Sequence, residues 1–383
     1  MKHALLSASG AKRWMECPPS ARLEEPYPDS TSEYAKEGTA AHTYAELKLG
    51  RIIGTVKNKE VKNFEKNNEY YSKSMTDYIE TYTDLVMEKH AEAQTRSKDA
   101  ILMLEQRLDF SRWVPEGFGT GDTVIISDGI LEVIDLKYGK GVQVEAQNNP
   151  QLRLYGLGAW NIFRYLYDIK KVRTTICQPR LDNISTEELE VKELLEWAET
   201  QVEPKAKLAW DGNGEFKAGE HCRFCRARST CRARAEANTE LAKYDFKPAP
   251  ELTKEEIADI LAKIDELTSW AKDVKDHALE QAEKHGVKWP GWKLVEGRSR
   301  RTYTDEDKIA ETLKKKRYRI KDIYKPKQLI GITAMQKLLG KKKMQELIGD
   351  YIVKPAGKPT LVPEDDKRPE LSTADNAAED FKK

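Results

Sequence analysis

No stretch of the chain approaches the roughly 18 consecutive apolar residues that a membrane-spanning helix needs, and no charged-then-apolar leader opens it. A soluble protein without a membrane partner is therefore expected. Charge of one sign is also missing: 65 basic residues face 64 acidic ones, for a net charge of +1. That excludes a generally polycationic coat, so any affinity for nucleic acid has to come from local basic patches. Cysteine is scarce and odd in number, five in 383 residues. Without an export signal, this points to ligation or free thiols in a reducing compartment and away from disulfides. There is no G-x4-GK[ST] pattern, which excludes ATP hydrolysis by a P-loop, and no internal repeat. With 39% hydrophobic and 34% charged residues, the chain is long enough to bury a substantial core in one large or two to three small domains.

What is present concentrates in residues 117–155. The segments TVII (123–126) and ILEVIDLK (130–137) are β-branched and apolar, and the Ser127-Asp128-Gly129 between them has hairpin chemistry. Asp122 stands just before the first of these strands, after a Gly119-Thr120-Gly121 turn. Asp135 and Lys137 close the second, two apart and hence on one face of the sheet. Asn149-Pro150 reads as an N-cap and first helical residue, which places Gln151 and Tyr155 on one helix face. Two carboxylates and a lysine facing one way suit a hard divalent cation, Mg²⁺ or Mn²⁺, acting on a phosphate with the ammonium assisting. An Asp-x-Lys on its own would be no more than surface charge at a hairpin rim.

Together, Asp122, Asp135-x-Lys137 and Gln151-x3-Tyr155 resemble the core of the PD-(D/E)XK nuclease superfamily, and within it the RecB-like branch. The resemblance covers residues 1–240 and implies an α/β fold: a restriction-endonuclease-like central mixed sheet of four or five strands flanked by helices. It implies that Asp122 and Asp135 hold the metal and that Lys137 orients or helps activate water. Gln151 and Tyr155 would place the DNA backbone or a terminal nucleotide. It further implies a metal-proximal histidine on an N-terminal helix. His42 fits, sharing a face with Gly38 and Glu46, where the small Gly38 would let a neighbour approach closely. An acidic residue on the first strand, here Glu105 within 100–110, would also lie near the metal. Alternation there puts Leu102, Leu104, Gln106 and Leu108 on one side and Glu105 on the other.

Cys222, Cys225 and Cys231 form Cys-x2-Cys-x5-Cys in an arginine-rich tract. Three close thiols need a fourth ligand. His221 would complete a zinc site; Cys17, rigidly held before Pro18-Pro19, is the other candidate. One cysteine before the core and three after it resembles the iron–sulfur nucleases of the AddB type and the CRISPR-adaptation exonucleases, which implies a [4Fe–4S] cluster acting as a structural staple. Cys177 lies within an expected strand (172–181) as an inert buried thiol.

Residues 57–68 are expected to form a surface connection, 70–96 and 152–166 helices, and 186–210 a further helix with acidic residues in its first turn. Residues 241–350 would form a helical, basic accessory region. In it a capping box at Thr253/Glu256 starts a long amphipathic helix (252–285), and Trp289-Pro290-Gly291-Trp292 with Arg298, Arg300, Arg301 and Tyr303 suggests a basic, aromatic hairpin. Lysine-rich residues 314–327 and 341–343 add positive charge. Residues 351–383 are acidic, Pro-rich and expected to be disordered. The layout also resembles a phage family with a domain of unassigned function. The implied function is a metal-dependent DNA exonuclease that processes ends in phage-type recombination or replication, in the host cytoplasm, with a single-strand-binding or annealing protein as partner. The alternatives are a non-catalytic DNA-end-binding or assembly module on a nuclease fold, and a zinc-stabilised adaptor.

Overall fold

The computed structural model describes residues 4–28, 33–240, 253–295, 315 and 331–352. Two short helices, α1 (Ala11–Glu16) and α2 (Ser20–Leu23), precede three longer ones, α3 (Glu33–Ile52), α4 (Asn58–Asn67) and α5 (Lys73–Arg96). Strands β1 (Ile101–Asp109), β2 (Phe118–Ile126) and β3 (Gly129–Leu136) follow. Then come α6 (Pro150–Phe163), β4 (Ile169–Gln178), β5 (Asn183–Glu190), α7 (Val191–Trp197), α8 (Glu203–Asp211) and α9 (Arg232–Thr239). The C-terminal elements are α10 (Lys254–His285), α11 (Ile332–Leu339) and α12 (Lys341–Ile348).

The five strands form one mixed sheet in the order β1-β2-β3-β4-β5. Every neighbouring pair is antiparallel except β3 and β4, which are parallel because α6 carries the chain across between them. Both faces of β3 are mainly apolar, apart from the buried Glu132 and Asp135, and each is covered. Leu131 and Val133 join a core with α1, α6, α7 and α8; Ile134 and Leu136 join another with α3 and α5. A near-continuous apolar strand is what a sheet buried on both sides requires. The β2–β3 hairpin turns through Gly129 at φ +82°, where a side chain would be strained. Among the described residues, no helix is long and apolar enough to cross a membrane.

Several expectations are corrected. Residues 119–122 are part of β2, not a turn before it. Residues 58–67 form α4, whose Phe64 stacks on Tyr44 with centroids 5.1 Å apart; partial burial of that ring and burial of Val61 outweigh the polar composition. The segment from Asn183 to Glu190 is a strand, and helix begins only at Val191. Its acids do not cap a helix. They pair elsewhere: Glu188 across the sheet with Lys171 (2.8 Å) and Arg173 (2.9 Å), and Glu187 with Arg153 of α6. Cross-strand pairing overrides local propensity here. Among the described residues, no atom lies within 4 Å of a Cβ built on Gly38, so none of them uses that glycine for a close approach.

The C-terminal elements pack on this core. The Thr253/Glu256 capping box forms as expected. Helix α11 meets α5 through Gln336 and the Tyr78 hydroxyl (2.7 Å), and α12 does so through the Lys341 and Lys342 amides on Asp77 and the buried Met344. Trp289 to Trp292 is a tight turn, with the Trp292 amide on the Trp289 carbonyl at 3.0 Å. Arg298, Arg300, Arg301 and Tyr303 lie outside the described residues, as do all of 314–327 except Lys315, and 353–383.

Candidate active site

The site forms where β2 and β3 part. Their last pair is Thr123 with Ile134. Beyond it the Leu136 amide donates instead to Asp122 Oδ2 at 2.7 Å. The other oxygen, Oδ1, lies 3.1 Å from His42 Nδ1 on α3. Asp122 thus bridges the sheet and the helix that covers it.

The pleat reverses at this point. Leu102 and Leu104 pack on the α3/α5 side, whereas Leu108 lies in the opposite core, so alternation does not run unbroken from 102 to 108. Glu105 takes a left-handed backbone at φ +47°, unusual for a residue with a side chain. On β2, a Cβ at Gly119 or Gly121 would face Tyr155 or Leu108 in the α6-side core, yet Thr123 reaches the Tyr82 hydroxyl of α5 at 2.8 Å. The paired reversals turn Glu105 and Asp122 toward His42. Donor atoms of His42, Glu105 and Asp122 lie within 4.8 Å of one another, the sole such group among the described residues. They line a small cleft floored by Tyr82 and Leu136 and rimmed by the exposed Glu46.

Asp135 does not join that trio. Its buried carboxylate sits on the α6 side, with Oδ2 2.8 Å from Lys137 Nζ. The ammonium is out of line for a directed hydrogen bond, and Oδ2 has no other donor. Lys137 Nζ donates to Gln151 Oε1 (3.2 Å), and Gln151 Nε2 to the Tyr155 hydroxyl (3.2 Å). The first turn of α6 holds this relay: the Asn149 side chain caps it at the Gln151 and Leu152 amides, and the Tyr155 ring lies so close to β2 that a Cβ at Gly119 would sit 2.6 Å from Cε1.

Burial and mutual repulsion set the charges. Burial, then the Asp122 charge, push the Glu105 carboxyl up to about 7. Burial also raises Asp135, against the pull of Lys137 and with the push of Asp122. For His42 burial disfavours the imidazolium, but the hydrogen bond and charge of Asp122 together outweigh it and raise its pKa. Lys137 is likewise raised, because Asp135 outweighs its burial. Three carboxylates crowded so that two bind protons more readily, one with an oxygen lacking a donor, fit a hard cation with oxygen and imidazole ligands.

The cysteines converge elsewhere. Cys17, Cys222, Cys225 and Cys231 line one pocket with Arg13, Ser20, Arg228 and Arg234. No three of the thiols come within 4.8 Å of one another, wider than the roughly 4 Å sulfur separation around a zinc ion. His221 turns Nε2 to the Lys217 carbonyl at 2.8 Å, which occupies one of its two ring nitrogens. Burial pushes the Cys225 thiol up to about 12 and raises Cys222. Ser20 Oγ and Arg234 Nη2 in the pocket wall are buried without a hydrogen-bond partner. Unpartnered donors and surrounding cations fit an anionic, sulfur-rich group. Cys177 is fully buried in β4, and burial pushes its thiol up to about 12.

Sequence reasoning missed three supporting groups. Tyr82 braces Thr123; Arg180 grips Glu37 of α3 at 3.0 Å; Glu187 holds Arg153 of α6. None belongs to a spaced motif, so only the pairing of distant segments reveals them.

The chain matches the family described as protein of unknown function (DUF2800) over residues 3–369, and it belongs to that family. Among solved structures it is similar to a Eubacterium rectale protein given a provisional exonuclease name, at 15% identity and a TM-score of 0.34, over 59% of this chain and 89% of that one. It is also similar to SSO0001, at 13% identity and a TM-score of 0.26, over 61% and 89%. Similarity at this level defines neither substrate nor mechanism.

Proposed function

We propose that this DUF2800 chain is a divalent-metal-dependent deoxyribonuclease, acting as an exonuclease on DNA ends in phage-type recombination or replication. The observation that carries the reading is the fork between β2 and β3. There His42, Glu105 and Asp122 gather on one side of the parting strands, and Asp135, Lys137, Gln151 and Tyr155 are linked on the other.

His42, Glu105 and Asp122 would hold Mg²⁺ or Mn²⁺, which when bound supplies a Lewis acid for the phosphate and a more acidic water; Asp135, expected as a further ligand, instead pairs with Lys137 across the fork. Lys137 stays cationic, because Asp135 holds its proton. It therefore serves as a donor to a phosphate oxygen or to the attacking water, and not as the base. Gln151 is pinned at its oxygen by Lys137 and at its amide by Tyr155, so its orientation is set before substrate arrives. The Tyr155 phenol is held neutral by burial, which with the Asp135 charge raises its pKa. It remains a hydrogen-bond donor for the DNA backbone.

Cys17, Cys222, Cys225 and Cys231 would hold a [4Fe–4S] cluster, joining α1 and α2 to the segment after the sheet. Fixing chain ends so distant in sequence removes loop entropy from the unfolded chain.

The test is digestion of end-labelled linear double- and single-stranded DNA with Mg²⁺ or Mn²⁺, comparing anaerobically purified wild type with Lys137→Ala. Release of label by wild type alone is expected, with the variant slower by about 10²–10³-fold. If both leave DNA intact but retard it in a gel, the nuclease reading fails and a DNA-end-binding role replaces it.

A further inference from the structure

Arg234 is the largest fully enclosed side chain of the described core, and it is a charged one. Its Nε donates to Glu266 at 2.7 Å; its Nη1 donates to Asp273 at 2.6 Å and to the Arg228 carbonyl at 3.2 Å. Glu266 and Asp273 stand seven residues apart, two turns along one face of α10. Nη2 has no partner, although it is buried in the wall of the pocket that holds all four cysteines. A guanidinium carries five donors in a fixed fork. Here the three nitrogens are used unequally: two reach α10, and the third is left without a partner in a side chain that also lines the thiol pocket.

Among the described residues, helix α10 has little else to hold it. None of its 32 residues is buried, and Ile257, Leu261, Ile264 and Leu279 are exposed. Its main contact is α9, and the acid clamp on Arg234 is strengthened by Arg228, which reaches the same Asp273 at 3.1 Å. Arg228 also donates to the Cys225 carbonyl at 3.3 Å. Both arginines that grip α10 therefore border the thiol pocket.

We infer that Arg234 links the two: its Nη2 donates to a sulfur-rich anionic group held by Cys17, Cys222, Cys225 and Cys231, while Nε and Nη1 hold α10, so that seating of α10 on α9 depends on the filled pocket. The inference rests on the iron–sulfur reading of the thiols. With an acceptor present, the guanidinium is satisfied on every side and its fork is fixed. Without one, a buried donor is left unpaired, and Arg234 gains by turning toward water and releasing Glu266 and Asp273. Ser20 Oγ, the other unpartnered atom in the wall, would add a second donor from α2.

The test uses the full chain, stripped by chelator or reconstituted anaerobically with iron(II) and sulfide. Bound iron and sulfide are counted first, and amide exchange is then followed across α10. Around Glu266 and Asp273, exchange should slow about tenfold or more on filling the wild type. Asp273→Asn, altered on the α10 side and away from the thiols, should take up iron normally yet lose most of that slowing. Arg234→Gln should also surrender iron to chelator several-fold faster than wild type. Equal exchange in filled and stripped wild type, with iron bound, overturns the inference alone, as does unchanged iron retention in a folded Arg234→Gln. If no iron and sulfide are taken up, or only zinc, the cluster reading and the inference fall together.

Discussion

Glu187 offers a sharp test of how the site is supported. Its carboxylate is almost wholly buried and accepts three short hydrogen bonds: from Arg153 Nη2 at 2.6 Å, Arg153 Nε at 2.8 Å and the Asn148 amide at 2.7 Å. Through them β5 fixes both the first turn of α6 and the loop that leads into it, and so the placement of Gln151 and Tyr155. Glu187→Ala would leave the Arg153 guanidinium, 11% exposed, without its counter-charge and the Asn148 amide without an acceptor. Removing one member of a buried pair costs about 3–5 kcal/mol. At roughly 2–4 °C per kcal/mol for a domain of this size, the melting temperature should fall by about 6–20 °C. Glu187→Gln keeps acceptor capacity but loses the charge, and should cost about 1–2 kcal/mol. Urea unfolding followed by circular dichroism would measure both. Adding Arg153→Ala to Glu187→Ala should cost less than the sum of the singles, by about 1–3 kcal/mol. If Glu187→Ala lies within about 1 kcal/mol of wild type, or the double variant is additive, the pair does not support α6.

The proposed metal site makes its own predictions. Mg²⁺ or Mn²⁺ should stabilise the metal-free protein by mass action, about 2.7 kcal/mol at a hundred times the dissociation constant, and Asp122→Asn should abolish the effect in thermal melts; an unresponsive wild type at millimolar metal contradicts the site. For metal-free protein, Glu105 has a folded pKa of about 7 against 4.5 unfolded, so the fold favours its neutral form. Its contribution is complete below pH 4.5 and lost as pH rises through 7. Because Glu105 is only partly enclosed at the rim of the cleft, solvent screening reduces this to about 1 kcal/mol. Glu105→Gln should flatten the slope of urea midpoint against pH in that window, and an unchanged slope refutes the assignment. Gly119→Ala would thrust a methyl into the Tyr155 ring; a stability loss of about 1–3 kcal/mol and slower DNA cleavage are expected, whereas wild-type behaviour in both would show that the ring moves freely.

Local chemistry wrote much of this protein legibly. The β2–β3 hairpin, the Asn149 cap of α6, the capping box of α10 and the apolar faces of α5 depend on neighbours a few residues away, so period and turn residues suffice to find them. Asp135-x-Lys137 and Gln151-x3-Tyr155 could be placed on common faces for the same reason. Strand β5 could not: its run of acids reads as a helix start until Lys171 and Arg173 appear across the sheet and Arg153 on α6. Nor could the reversal of the pleat at Glu105 and Asp122, which takes a left-handed residue on one strand and the parting of two others.

The sequence by itself thus determined a mixed α/β core and which candidate residues share a face in it, because period, turn and spacing are properties of adjacent residues. The tertiary structure alone decided that His42, Glu105 and Asp122 meet while Asp135 pairs with Lys137, and that Arg234 lies between the cysteines and α10. Those arrangements depend on where distant segments are buried together, and the cost of leaving a buried charge without a partner is felt only once the chain has folded around it.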